Sequence, residues 1–461
     1  MTAKSETLPR IAVQIPEIGS SMEVNQLRKI NFSPIFDAFK MRRMDPKELN
    51  AFIAMDDKWK KTLIKLESFR AEKNRISKQI SKAEEKEKEP LMIEAKEIDE
   101  RRSKCEVENK EAESQRRNFL LALPNLVDSS VPLDDVKVVA HLGKPNVGKD
   151  GVAEFKTNYP GVGFNQIPKA ISQYDIIKAY QLTDEERGAE LAGMRFYYKI
   201  NELVLLDLAL SLYATKKLAD RGFSLITPPY LVKKVVEEGA TSLDAFTEAL
   251  YKIEGEDLYL IPTAEHPIAA YNSNKTFNLK DLPIRYAGFS PAFRKEVGAH
   301  GKDTKGIYRN HHFNKVEQYV ICAPDQVEAE FNLLVQNQVA LLNDINIPVR
   351  VVVLPAWDMD KKAMIQADVE GWWPGQNKFG ELGSHGYMGS WQAARLNVRY
   401  AAGNGKAPNP FVHTIYGTAI AIERTLACML ENSIDENGVI QVPKVLADYS
   451  GITEINPVKK K

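Results

Sequence analysis

The sequence predicts an α+β protein, a body built on a mainly antiparallel β-sheet flanked by helices and preceded by an N-terminal antiparallel two-helix coiled-coil arm. Three observations carry this. Residues 45–123 are densely charged, hold a single proline, Pro90, after the Pro46 at their start, and place apolar residues at alternating steps of three and four. Beyond Phe223, β-rich segments bounded by turn signals alternate with a few helices. A chain of 461 residues with 44% hydrophobic residues is too long for one ordinary domain and apolar enough to bury a large core.

In the arm, Phe52, Met55, Trp59, Thr62, Leu66, Phe69, Lys73, Ile76, Ile80 and Ala83 mark the seam of a first helix. Leu91, Ala95, Ile98, Arg102, Cys105, Asn109, Ala112, Arg116, Phe119 and Leu123 mark that of a second. Pro90 lies between them and is expected to separate the two. At 1.5 Å per residue, some 40 residues give an arm of roughly 60 Å. Residues 58–88 carry eleven basic side chains against five acidic, and residues 91–117 seven against eight. A basic helix suits a phosphate backbone, whereas a solvated coiled coil that dimerises or spaces domains would account for the same charges.

The expected divisions are a flexible extension over 1–22, the arm over 23–123, a Pro- and Gly-containing linker packed on the body over 124–180, and the body's main domain over 181–461. Within the last, a helix runs from Asp184 to Arg221 and stops at Gly222, and a strand over Phe223–Ile226 ends in Pro228 and Pro229. Further helices span Gln326–Asn343 and Ile420–Asn432.

The 62 basic and 62 acidic residues cancel, so only local asymmetry speaks of a polyanionic partner. Cys105, Cys322 and Cys428 are too far apart for a disulfide framework or a metal cluster. No apolar run approaches the roughly 20 residues that span a bilayer, and no membrane association is expected. Glu6 and Glu17 interrupt the N-terminus, which points to a cytoplasmic protein, with organelle import left open. No GxxxxGK[ST] loop is present, so a nucleotide would be held in another way.

Residues 293–319, FRKEVGAHGKDTKGIYRNHHFNKVEQY, concentrate the candidate chemistry. Arg294 and Glu296 share a face at strand spacing, a loop with Gly298, Gly301, Lys302, Lys305 and Gly306 follows, and Arg309, His311, Phe313, Lys315 and Glu317 recur with period two. Cations, an aromatic ring and carboxylates directed into one pocket match carboxylate activation, in which guanidinium groups stabilise phosphate charge and a purine stacks on phenylalanine.

These residues resemble motif 2 of the class II aminoacyl-tRNA synthetases, and FRKEVG...HHFNKVE is most similar to the seryl-tRNA synthetase family. RGFSLITPPYL from Arg221 resembles motif 1, the dimer-forming element of that class, and GTAIAIERTLACMLEN from Gly417 resembles motif 3. IPTAEHP, PGQNKFGEL and WQAARLNVRY match further family segments, so the likeness covers nearly the whole chain after about residue 22.

The resemblance implies a class II antiparallel catalytic domain, ATP-dependent activation of serine, and transfer to a tRNA whose long extra arm the helical hairpin reaches. It implies a homodimer. Arg294 would contact the α-phosphate and substrate carboxylate, Arg309 and Arg424 the outer phosphates, and Phe313 with Arg424 would sandwich adenine; Glu296 belongs with this ATP-binding set. Glu381 and Ser384 would hold Mg²⁺. Thr263 and Glu265 would receive the amino group, and Glu317 with Thr418 would read the hydroxyl. No zinc is expected, because Cys322 has no companion ligands.

Two places depart from the family. The run resembling SSCSN is here GSHGY over 383–387, and the asparagine at the head of motif 3 is Tyr416, counted with the amino-acid-binding set. An altered amino acid or acceptor, or a non-catalytic RNA- or protein-binding paralogue, are the alternatives these departures leave open.

Overall fold

In the computed structural model, which describes residues 31–242, 249–296, 306–401, 403 and 409–458, the chain divides into a unit over Ile35–Pro124 and a body that contains Asn125 onward. The expected extension over 1–22 and Gly298, Gly301, Lys302 and Lys305 lie outside the described residues.

Two long helices make up the first unit, α1 over Pro46–Ile80 and α2 over Glu85–Ala122. The Asp45 carboxylate accepts the Lys47 N–H at 2.9 Å, and Pro46, which has no N–H to leave unsatisfied, occupies the first helical position. The helices run antiparallel: Arg116 pairs with Asp56, Asn109 donates to Thr62 at 3.0 Å and Lys73 to Asp99 at 2.6 Å. Phe52, Leu66, Ile76, Ile98, Cys105 and Ala112 are buried, as a heptad seam requires.

The expected break at Pro90 is corrected: the chain turns at 81–84, and Pro90 is the sixth residue of α2. So close to a helix start, the missing N–H deprives only the Lys86 carbonyl, in an exposed turn where water can serve it. With these bounds α1 carries nine basic residues against five acidic, and α2 nine against eleven.

The body is organised on eight strands: β1 Lys137–Leu142, β2 Ser224–Ile226, β3 Ile284–Phe293, β4 His312–Cys322, β5 Val349–Val353, β6 Ile365–Trp373, β7 Lys378–Tyr387 and β8 His413–Ala421. They lie in the order β1-β5-β6-β7-β8-β4-β3-β2. Every pair is antiparallel except β3 with β2. β-Branched runs such as VRVVV in β5 explain the strands. Helix α5, Val327–Asp344, covers the middle of one face. Gly383 allows it to sit closely, since a Cβ there would overlap the Gln338 amide.

Three further helices matter to the site: α3 Glu202–Asp220, α4 Glu265–Tyr271 and α6 Ile422–Ser433. The single helix expected from Asp184 to Arg221 is two. Glu185–Ala192 ends at Gly193, whose φ of 102° no L-residue readily adopts, and α3 begins only after the Asn201 turn. Gly222, at φ 83°, closes α3 as expected.

Near the end of α6 the buried Glu431 carboxylate accepts the Gln173 N–H at 2.6 Å and the Gly375 N–H at 2.8 Å, tying the linker to the sheet. Burial raises its pKa from 4.5 to about 7 against those two donors. Between pH 4.5 and about 7 the folded protein therefore holds a proton that the unfolded chain has released, so this group's contribution to stability falls as pH rises. Thermal unfolding of Glu431→Gln across that window should show an overall lower midpoint and a shallower decline with pH than the parent protein.

Candidate active site

Strands β3 and β4 pair so that Phe293 faces His312, Ser290 faces Lys315 and Gly288 faces Glu317. β4 pairs with β8 through a bulge at Val316/Glu317 that sets Glu317 opposite Thr418. Above this surface lies a cavity of about 350 Å³. Of the twelve residues singled out from the sequence, eleven line it: Thr263, Glu265, Arg294, Glu296, Arg309, Phe313, Glu381, Ser384, Tyr416, Thr418 and Arg424. Glu317 lies fully buried beneath the floor.

The strands are shorter than period two implied. β3 ends at Phe293 and β4 begins at His312, so Arg294, Glu296 and Arg309 stand on the loop that joins them. The ladder is prolonged by one bond, Arg294 N–H to the His311 carbonyl at 2.9 Å, before Glu296 turns the chain at φ 47°.

At one end three guanidinium groups converge. Arg294 donates to the Pro262 carbonyl at 3.2 Å and stands 5.2 Å from the centre of the Phe313 ring. Arg309 pairs with Glu296 at 2.6 Å. Arg424 pairs with Glu381 at 3.1 Å and lies 4.7 Å over Tyr308. The cation beside Phe313 is thus Arg294, while Arg424 lies over Tyr308. Burial would raise the pKa of Glu381, but Arg424, Arg294 and Arg309 hold it below the usual carboxylate range.

A strip of oxygen donors borders this end, where β6 and β7 set Asp368 opposite Ser384. Ser384 donates to Asp368 at 2.6 Å and accepts from Gln366 at 2.7 Å. Burial and the Glu381 charge push Asp368 well above its ordinary pKa. An ionised carboxylate at the lip with a hydroxyl and a carboxyl behind it is an all-oxygen donor set, the kind a hard cation prefers. Among the described residues no group of three or more His, Cys, Asp or Glu side chains is assembled for a metal. Cys322 is buried at the end of β4 against the His413 carbonyl.

The other end is lined with internal ion pairs. Lys362 donates to both oxygens of Glu265, at 2.7 and 2.9 Å, and Gln392 donates to the same carboxylate at 2.7 Å. Lys315 pairs with Glu317, which also accepts the Thr263 hydroxyl at 2.9 Å, while Glu317 Oε1 accepts no hydrogen bond among the described residues. The Tyr416 ring lies 4.7 Å from the Lys362 ammonium and packs over Gly386, where a Cβ would overlap the ring. The two departures at 386 and 416 therefore accommodate each other.

Behind the cavity a ring of buried polar groups fixes these parts. Lys199 pairs with Asp207 on α3 and with Glu423 on α6 at 2.6 Å, and Glu423 accepts the Asn314 N–H at 2.8 Å. Asn314 returns to Asp207 at 3.1 Å. Phe313 and Arg424, the chain neighbours of Asn314 and Glu423, are thereby braced from behind.

Lys315 shares the period-two pattern of β4 and was legible, though without a role. Tyr308, Lys362, Gln366, Asp368 and Gln392 were missed. Lys362 stands on a loop between β5 and β6 with no motif to mark it.

Residues 249–433 match the tRNA synthetase class II core domain (G, H, P, S and T), and residues 22–127 match the seryl-tRNA synthetase N-terminal domain. The serine–tRNA ligase of Thermococcus onnurineus is 41% identical, over 90% of this chain and 92% of the relative. Among solved structures, seryl-tRNA synthetase from Pyrococcus horikoshii complexed with ATP superposes with a TM-score of 0.86 at 36% identity, covering 95% of this chain and all of that one. The cytoplasmic serine–tRNA ligase from Naegleria fowleri in complex with AMP gives 0.77 at 32%, covering 95% and 99%.

The packing of Tyr416 on Gly386 makes a reciprocal prediction. Gly386→Ser alone should lower stability by about 1–3 kcal/mol through overpacking. Adding Tyr416→Asn should recover most of it, as measured by denaturant unfolding.

Proposed function

Because the chain belongs to the seryl-tRNA synthetases, ATP-dependent class II ligases that join serine to tRNA, we propose that the cavity over β4 and β8 binds ATP at its guanidinium end and serine at its lysine–carboxylate end. The observation that carries this placement is the sorting of cations: the guanidiniums of Arg294, Arg309 and Arg424 gather around Glu381, whereas the ammoniums of Lys315 and Lys362 are held by Glu317 and Glu265.

The serine carboxylate attacks the α-phosphorus of ATP, the bond to the bridging oxygen breaks, and pyrophosphate leaves. Arg294, next to Phe313, stabilises charge at the α-phosphate, and Arg309 and Arg424 steady the outer phosphates. Their pairing with Glu296 and Glu381 keeps both guanidiniums in place until phosphates offer a better partner. Adenine stacks on Phe313. Glu381 and Ser384 would hold Mg²⁺, which supplies positive charge to the phosphates when bound. A terminal ribose hydroxyl of tRNA then attacks the acyl carbon and AMP departs.

Glu317 and Thr418 favour a substrate hydroxyl. Glu317 Oε1 is a buried acceptor without a hydrogen-bond donor among the described residues, and an amino acid lacking the hydroxyl would leave it so. A second copy of the chain is the partner that suits α3, whose Val204, Leu205, Leu208 and Leu212 are exposed together with Leu225 of β2. The basic helix α1 is the surface offered to tRNA phosphates. Among the described residues no helix is long and apolar enough to cross a membrane.

Arg294→Ala should reduce serine-dependent exchange of pyrophosphate into ATP by about a hundredfold or more; activity within a few-fold of the parent would remove Arg294 from the α-phosphate. Lys61 and Lys65 are exposed on α1. Reversing both to glutamate should leave that exchange unchanged while raising the KM for tRNA about tenfold at low salt, with the gap closing as salt rises.

A further inference from the structure

Lys362 belongs to none of the roles above, yet it is buried, lines the cavity and makes the closest ionic contacts to Glu265. Its ammonium has three donors in tetrahedral array, as does the α-ammonium of serine. Two reach Glu265 at 2.7 and 2.9 Å, and Gln392 takes a further lone pair, so the carboxylate that would receive the substrate amine is already engaged. A second ammonium brought beside Lys362 would meet a like charge on a side chain that is itself almost fully buried. Burial alone would lower the Lys362 pKa, but Glu265 and Asp360 raise it, so the side chain stays charged.

A second anion stands within reach. Asp360 lines the same cavity, and its Oδ2 lies 3.5 Å from the Lys362 ammonium. We propose that Lys362 is a specificity-determining residue that stands in for the substrate ammonium on Glu265 in the free enzyme and transfers to Asp360 when serine binds. The inference rests on the assignment of Glu265 to the substrate amine. It gives the pocket a selective step: only a ligand that offers Glu265 a cation of equal geometry, with its remaining groups matched elsewhere, releases Lys362. No bond is made or broken; one ion pair replaces another.

The test is a double-mutant cycle on the full-length protein, with the KM for serine read by pyrophosphate exchange and the KM for ATP as control for an intact site. Lys362→Met should lower the serine KM about tenfold by removing the competitor, and Asp360→Asn should raise it about tenfold by removing the second negative charge beside the Lys362 ammonium. In the Lys362→Met background Asp360→Asn should have little effect. A serine KM that rises in Lys362→Met, or effects of the two changes that simply add, would overturn the proposal. Should Lys362→Met not fold, Asp360→Asn decides alone, and an unchanged serine KM refutes the transfer. Glu265→Gln separates the two levels. If it leaves the serine KM unaltered, the assignment of Glu265 fails; if it raises the KM while Lys362→Met does not lower it, only the transfer fails.

Discussion

Taking an ammonium or a carboxylate out of water costs several kcal/mol unless a partner of opposite sign and enough hydrogen bonds come with it. The floor of the cavity buries Lys315, Glu317, Lys362 and Glu265, and the wall behind it buries Asp207 and Glu423. Each is matched: Lys315 with Glu317, Lys362 with Glu265, and Lys199 with both Asp207 and Glu423. Internal pairing lets a charged surface of this density exist inside a folded body before any substrate arrives.

The antiparallel sheet supplies the precision this pairing needs. Strand register fixes which side chains stand opposite, and bulges at Val316/Glu317 and Val369/Glu370 shift it beside the site, bringing Glu317 against Thr418 and Glu370 against Glu381. The ring Lys199–Asp207–Asn314–Glu423 then ties α3 and α6 to the back of β4. Asp207 lies on the same helix as the exposed Leu208 and Leu212. A subunit partner seated on those leucines would therefore touch a helix that also braces the Phe313 side of the cavity.

The arm follows a different economy. Its helices bury little beyond a seam, several positions of which are polar, such as Thr62, Asn109 and the Asp56–Arg116 pair. Polar seam pairs cost stability relative to leucine but favour one register. With packing confined to that seam, the outer surface of α1 keeps a positive balance.

The heptad steps of the arm, the glycine that closes α3, and the period-two spacing of Phe313, Lys315 and Glu317 are local patterns, and the structure contains each of them. So is the ordered set of Arg294, Phe313, Glu381 and Arg424, from which the class of chemistry was legible. Lys362, Gln392 and Asp368 carry no local pattern. Lys362 reaches the cavity from a loop, and Gln392 and Asp368, on a short helix and a neighbouring strand, bond to its lining residues Glu265 and Ser384. The contact of Arg294 with Phe313, that of Arg424 with Tyr308, and the fit of Tyr416 over Gly386 are likewise choices of three-dimensional packing. Sequence spacing determines which residues share a strand face or a helix seam, because backbone periodicity is a property of neighbouring residues. Which buried charge answers which is decided only when distant segments close around a common space.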